Sequence, residues 1–69
     1  MKMHNTIRVE RARHKITQAQ LAERVDVSRQ TIHAIETGKF VPSTVLALKI
    51  SRFFNVKLEE IFQLIEEIT

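Results

Sequence analysis

The sequence predicts an all-helical fold of five short helices, on three observations. Glycine and proline occur once each in 69 residues, so almost nothing interrupts regular structure. Ala, Leu, Glu, Arg, Lys and Gln, the stronger helix formers, are abundant. Two of the predicted helices are separated by only "VDV", residues 25–27, and a connection that short forces a steep crossing.

In chain order, the first helix runs from about Asn5, its cap, to His14. The second follows Thr17, an N-cap residue, and runs to about Arg24. The third begins after Ser28 and ends at Thr37, where Gly38 supplies the left-handed stop. Pro42 stands just outside the fourth, Ser43 caps it, and it ends near Asn55. The fifth covers roughly Leu58 to Glu67; its cap position falls on Lys57, a poor capping residue.

Composition bounds the function. A chain of this length is one domain, 1–69, with a small core. Without cysteine it has neither a disulfide framework nor a thiolate metal site, which suits a reducing compartment. The charged start "MKMHNTIRVERARHK" does not read as a signal peptide, and no apolar run is long enough to span a bilayer. The expectation is a soluble, cytoplasmic protein. The net charge of +3 is unevenly spread. Residues 1–39 carry eight basic against four acidic side chains, a balance of +4, and residues 40–69 carry three against four, or −1. A basic half points to a polyanion such as nucleic acid, although charge alone describes any solvated face.

The basic half also holds the close helix pair. From Gln18 onward Leu21, Val25, Val27, Ile32 and Ile35 are apolar, with small Ala22 where the two backbones approach. Each alone would be ordinary core; their joint spacing is what a helix-turn-helix buries. The segment "TQAQLAERVDVSRQTIHAIETGKFVPS" resembles the Cro/repressor-type helix-turn-helix family, the lambda-repressor-like DNA-binding domains. The likeness covers about residues 5–62 and extends through "LALKI" and "EEIF". It implies a compact lambda-repressor-like bundle of four or five helices, with the third lying in the DNA major groove. Asp26 stands where the family often has the turn glycine, and Lys15 and Asn55 replace glycines common after the first and fourth helices.

With Ile32 and Ile35 facing the core, Arg29, Gln30, His33, Ala34 and Thr37 fall on the other side of the third helix. Arg29 can donate two hydrogen bonds to guanine, and Gln30 can both donate to and accept from adenine. Arg29, Gln30, His33 and Ala34 are therefore the predicted base-reading positions. Ser28 and Gln18 sit at helix starts, where free N–H groups and the dipole attract phosphate. Thr17 has the same position, shared with its capping role, and Thr37 and Lys39 flank Gly38 where the chain should run beside the DNA backbone. The resemblance further implies a structural ion pair between Arg11 and Glu36, which removes Glu36 from the DNA contacts.

Catalysis is not expected. His4, His14 and His33 and the glutamates of the last helix show no metal-ligand spacing or phosphate loop, so no catalytic residue, metal or cofactor is assigned. In "LEEIFQLIEEIT", Leu58 and Phe62 can close the core. Ile61, Leu64, Ile65 and Ile68 follow i, i+3, i+4, i+7 spacing and make residues 58–69 a candidate dimerisation helix. The resulting expectation is a transcriptional regulator, a repressor rather than an activator, binding a palindromic operator in double-stranded DNA as a homodimer. Repression needs only occlusion of a promoter, and no second domain is expected. The alternative is an antitoxin-type or adaptor module whose main partner is another protein.

Overall fold

A computed structural model describes residues 2–65. In chain order these form β1 (Lys2–Asn5), α1 (Ile7–His14), α2 (Gln18–Arg24), α3 (Arg29–Glu36), α4 (Thr44–Phe54), α5 (Leu58–Ile61) and β2 (Phe62–Ile65).

Capping chemistry explains where the middle helices start. The Thr17 hydroxyl accepts from the Gln20 amide while the Gln20 side chain accepts from the Thr17 amide, a complete capping box. Ser28 accepts from Thr31 N–H and Ser43 from Leu46 N–H in the same manner. The ends are equally local. Lys15 and Asn55 close α1 and α4 in left-handed conformation, and Gly38, φ 79°, follows α3. A side chain at Gly38 would meet nothing within 4 Å, so glycine there relieves strain in the backbone angle rather than making space.

The core lies where the helices meet. Ile7, Leu21, Ile32, Ile35, Ile50 and Ile61 are essentially inaccessible, with Val25, Phe54 and Phe62 around them. Ala22 is buried at the α2–α3 crossing, where its carbonyl also accepts from Val27 N–H at 2.9 Å. Leu21, Val25, Ile32 and Ile35 are buried as the spacing predicts, and Val27 packs against this cluster from a partly exposed position.

The two ends of the described chain differ from the all-helical expectation. β1 and β2 form a two-stranded antiparallel sheet with Lys2 opposite Ile65, Met3 opposite Leu64, His4 opposite Gln63 and Asn5 opposite Phe62. Helix α1 therefore starts at Ile7, and Asn5 is the last residue of a strand rather than a cap. Its side chain still serves the helix start: Oδ1 accepts from Ile7 N–H and Nδ2 donates to the Ile35 carbonyl at 2.9 Å, tying the sheet to α3.

The predicted dimerisation helix over 58–69 is also corrected. Helix α5 is one turn, and from Phe62 (φ −121°, ψ 126°) the chain is extended. Phe-Gln-Leu-Ile suits a strand as well as a helix, and β1 supplies hydrogen bonds that decide between them. Ile61 is 1% exposed and so cannot form a seam, whereas Leu64 and Ile65 are exposed on the strand and not on a helical stripe. Ile68 lies outside the described residues.

Candidate nucleic-acid interface

Ile32 and Ile35 anchor α3 in the core, which leaves the opposite face of the helix to solvent. Arg29, Gln30 and His33 are exposed on that face, Ala34 is partly exposed between them, and Ser28 and Thr37 are exposed at its two ends. The four predicted base-reading positions are thus brought together on one helix. Thr17 is exposed at the start of α2 with Gln18 partly buried beside it, and Lys39 is exposed just beyond Gly38.

A chain of side-chain contacts connects this face to α1. Arg11 grips Glu36 in two parallel bonds, Nε to Oε2 at 2.7 Å and Nη2 to Oε1 at 3.0 Å, and its third nitrogen donates to the Ile16 carbonyl at 3.2 Å. The pair is largely shielded, with side-chain exposures of 16% and 6%, so removing one partner would leave an uncompensated charge. The hydrogen bond to Glu36 raises the Arg11 pKa above its ordinary value, helped by the carboxylate's charge and opposed by burial. A raised pKa means that the pair's contribution is fully present below the ordinary arginine range and is lost only at extreme alkaline pH. The ion pair that the resemblance implies is therefore present, and Glu36 is turned inward.

Gln18 joins that pair to the exposed face. Its amide nitrogen donates to Glu36 Oε1 at 3.3 Å, and its carbonyl oxygen accepts from Arg29 Nη1 at 3.5 Å. The amide nitrogen also lies 3.3 Å from His33 Nδ1. Arg29 is thus held at the start of α3 with donors to spare, an arrangement suited to a base edge or a phosphate.

The hydroxyls differ in what they have free. Thr17 Oγ1 accepts in its capping box, which leaves its O–H available as a donor. Ser28 Oγ accepts from Thr31 N–H and lies 2.9 Å from Thr31 Oγ1, so its hydroxyl has a local partner. Thr37 donates back to the carbonyls of His33 (2.9 Å) and Ala34 (3.3 Å), and a phosphate contact there would have to replace those bonds.

Arg8 adds a side chain that the sequence reading did not single out. It lines one cleft with Gln18, Arg29, His33, Glu36 and Thr37, placing a second α1 cation beside the exposed face. Its spacing of three residues before Arg11 was the available signal, since i and i+3 share a helix face. Among the described residues no cluster of His, Cys, Asp or Glu could hold a metal ion, and no helix is long and apolar enough to cross a membrane.

Comparison with known proteins supplies independent context. A family profile described as helix-turn-helix matches residues 7–61. The chain is 55% identical over 60 residues to an uncharacterized HTH-type transcriptional regulator of Methanocaldococcus jannaschii, covering 87% of this chain and 91% of that protein. It is 49% identical over 65 residues to the HTH-type transcriptional regulator YgzD of Bacillus subtilis, covering 94% and 98%. Its fold is similar to the crystal structure of "a putative DNA-binding protein from Bacteroides fragilis", with a TM-score of 0.78 at 30% identity over 88% of this chain and 98% of that one.

Proposed function

Because the chain belongs to the Cro/C1-type helix-turn-helix family of transcriptional regulators, we propose that it is a sequence-specific repressor that reads a palindromic operator as a homodimer. The observation that carries this reading is the polar face of α3, opposite the buried Ile32 and Ile35, with Arg29 tethered to α2 through Gln18. Lowered into the major groove, α3 would present Arg29 and Gln30 to base edges, with His33 and Ala34 against the neighbouring pair. Thr17, Gln18, Ser28 and Lys39 would hold the flanking phosphates, joined by Thr37 when its intrahelical bonds are exchanged. These contacts set register and supply salt-dependent affinity without reading sequence. One such helix covers only a few base pairs, whereas two related by a two-fold axis read half-sites ~34 Å apart. Repression requires nothing more of the bound protein than that it occlude a promoter, and on this reading the protein works in the cytoplasm.

Sites selected from a random DNA pool provide the test. Arg29→Ala should cost ~1–3 kcal/mol and relax the preference at one base pair, while Lys39→Ala should weaken all sequences alike and reduce the salt slope by about 1. An Arg29→Ala protein with unchanged affinity and unchanged base preference would refute this placement of α3.

A further inference from the structure

Arg8 is exposed on α1 one turn before Arg11, and the two arginines are differently engaged. Arg11 commits three nitrogens to Glu36 and the Ile16 carbonyl, whereas neither ion pair among the described residues, Arg11–Glu36 or Arg13–Glu10, includes Arg8. Its neighbours in the chain fix where it stands. Three residues before it the Asn5 side chain donates to the Ile35 carbonyl, and three residues after it Arg11 holds Glu36. Both contacts fall on the last turn of α3, and Arg8 lines a cleft with Glu36 and Thr37 there. Arg29, on the same cleft, belongs to the first turn of α3, about 10 Å away along the helix axis. Glu36, the one carboxylate among the described residues lining the cleft, is neutralised by Arg11, so Arg8 and Arg29 leave the cleft net positive.

We propose that Arg8 holds a phosphate of the DNA backbone at the C-terminal end of α3. The proposal rests on the major-groove placement of α3 given above and adds a residue to it. A recognition helix puts its N-terminal residues on base edges. Such a helix, about 10–12 Å across with its side chains, fills a major groove about 12 Å wide. A side chain carried on a neighbouring helix therefore meets the phosphate walls of the groove and not its floor. Thr37, at the same end of the cleft, already donates to the carbonyls of His33 and Ala34, so Arg8 brings donors that this hydroxyl has committed elsewhere. A guanidinium presents them as a planar fork that fits two phosphate oxygens at once. With Arg29 on a base edge at one end of α3 and Arg8 on the backbone at the other, the helix is fixed in orientation as well as in register.

The test uses duplexes of the selected site in which phosphates are replaced, one at a time, by uncharged methylphosphonate. The native chain should lose affinity at each contacted phosphate, and Arg8→Ala should become insensitive at one of them while staying sensitive at the others. Its affinity should fall alike on selected and random DNA. The ratio of native to variant affinity should grow about threefold to fourfold as salt is lowered from about 200 to about 50 mM, the dependence of a single phosphate contact. Base preference should not change, and Arg8→Lys should recover part of the loss. Arg52→Ala, which removes an exposed cation from a different cleft on α4, controls for net charge and should keep the whole native pattern of sensitive phosphates. Melting curves check that each variant is folded. An Arg8→Ala protein that keeps every native phosphate sensitivity would overturn the contact, while a relaxed base preference in Arg29→Ala would leave the placement of α3 intact. Altered base preference in Arg8→Ala would overturn it too, by making Arg8 a reader of sequence. A native chain that selects no site from the pool would overturn both the contact and the operator reading.

Discussion

Lys15, Asp26 and Asn55 hold φ angles of 55°, 62° and 57°, the three left-handed residues other than glycine among those described. They are the positions where the resemblance places glycine, and the backbone takes the left-handed conformation there without it. The cost differs by side chain. A long side chain is strained there by ~1–2 kcal/mol, whereas Asp and Asn relieve part of this with local hydrogen bonds. Glycine in turn loosens the unfolded chain by about 0.4–1 kcal/mol, which offsets part of any gain. Lys15→Gly should therefore stabilise by about 0.5–1 kcal/mol, a rise of roughly 2–8 °C in melting temperature, and Asn55→Gly should be close to neutral. An equal rise at both positions would show that side-chain identity does not set the strain. The candidate site was legible at this scale because Arg29, Gln30 and His33 share the helix face that Ile32 and Ile35 do not use. The linking role of Gln18 was not legible: its partners lie 11, 15 and 18 residues away, and only the α2–α3 crossing brings them together.

Among the elements, α2, α3 and α4 were the most readable, because Thr17, Ser28 and Ser43 announce their starts through bonds made within three residues. The α2–α3 crossing was readable for a related reason: "VDV" is too short to allow another arrangement. Ala22 sits in that crossing at 3% exposure. Ala22→Leu should overpack it by typically 1–3 kcal/mol, so that melting temperature and DNA affinity fall together. A fully stable variant with normal binding would contradict the crossing. The sheet was unreadable for the opposite reason. Neither "KMHN" nor "FQLI" declares itself, since each strand is defined by a partner at the far end of the chain. Apolar residues at 61, 64 and 65 fit a helical stripe, and that local fit is outweighed by pairing with β1.

At the scale of the whole molecule, the sheet changes how the chain comes to be folded. The helices and the turn between α2 and α3 are built from contacts close in sequence, whereas Asn5 and Phe62, the innermost strand pair, are separated by nearly the whole chain. Closing a flexible loop of that length costs roughly 3–4 kcal/mol in entropy, a cost that falls once the intervening helices have shortened the path. The strands should therefore zip after the folding barrier has been crossed. Met3, partly buried against the core, reports on that step. At protein concentrations low enough to keep any association out of the kinetics, Met3→Ala should speed unfolding by about tenfold and leave the refolding rate unchanged. A slowed refolding limb would instead put the sheet in the nucleus. If the strands close last, they also open first, and release of the Asn5 side chain from the Ile35 carbonyl frees the last turn of α3, the helix proposed to face DNA. The lifetime of the proposed reading surface would then be set by a clasp at the far ends of the sequence, outside the residues proposed to contact DNA.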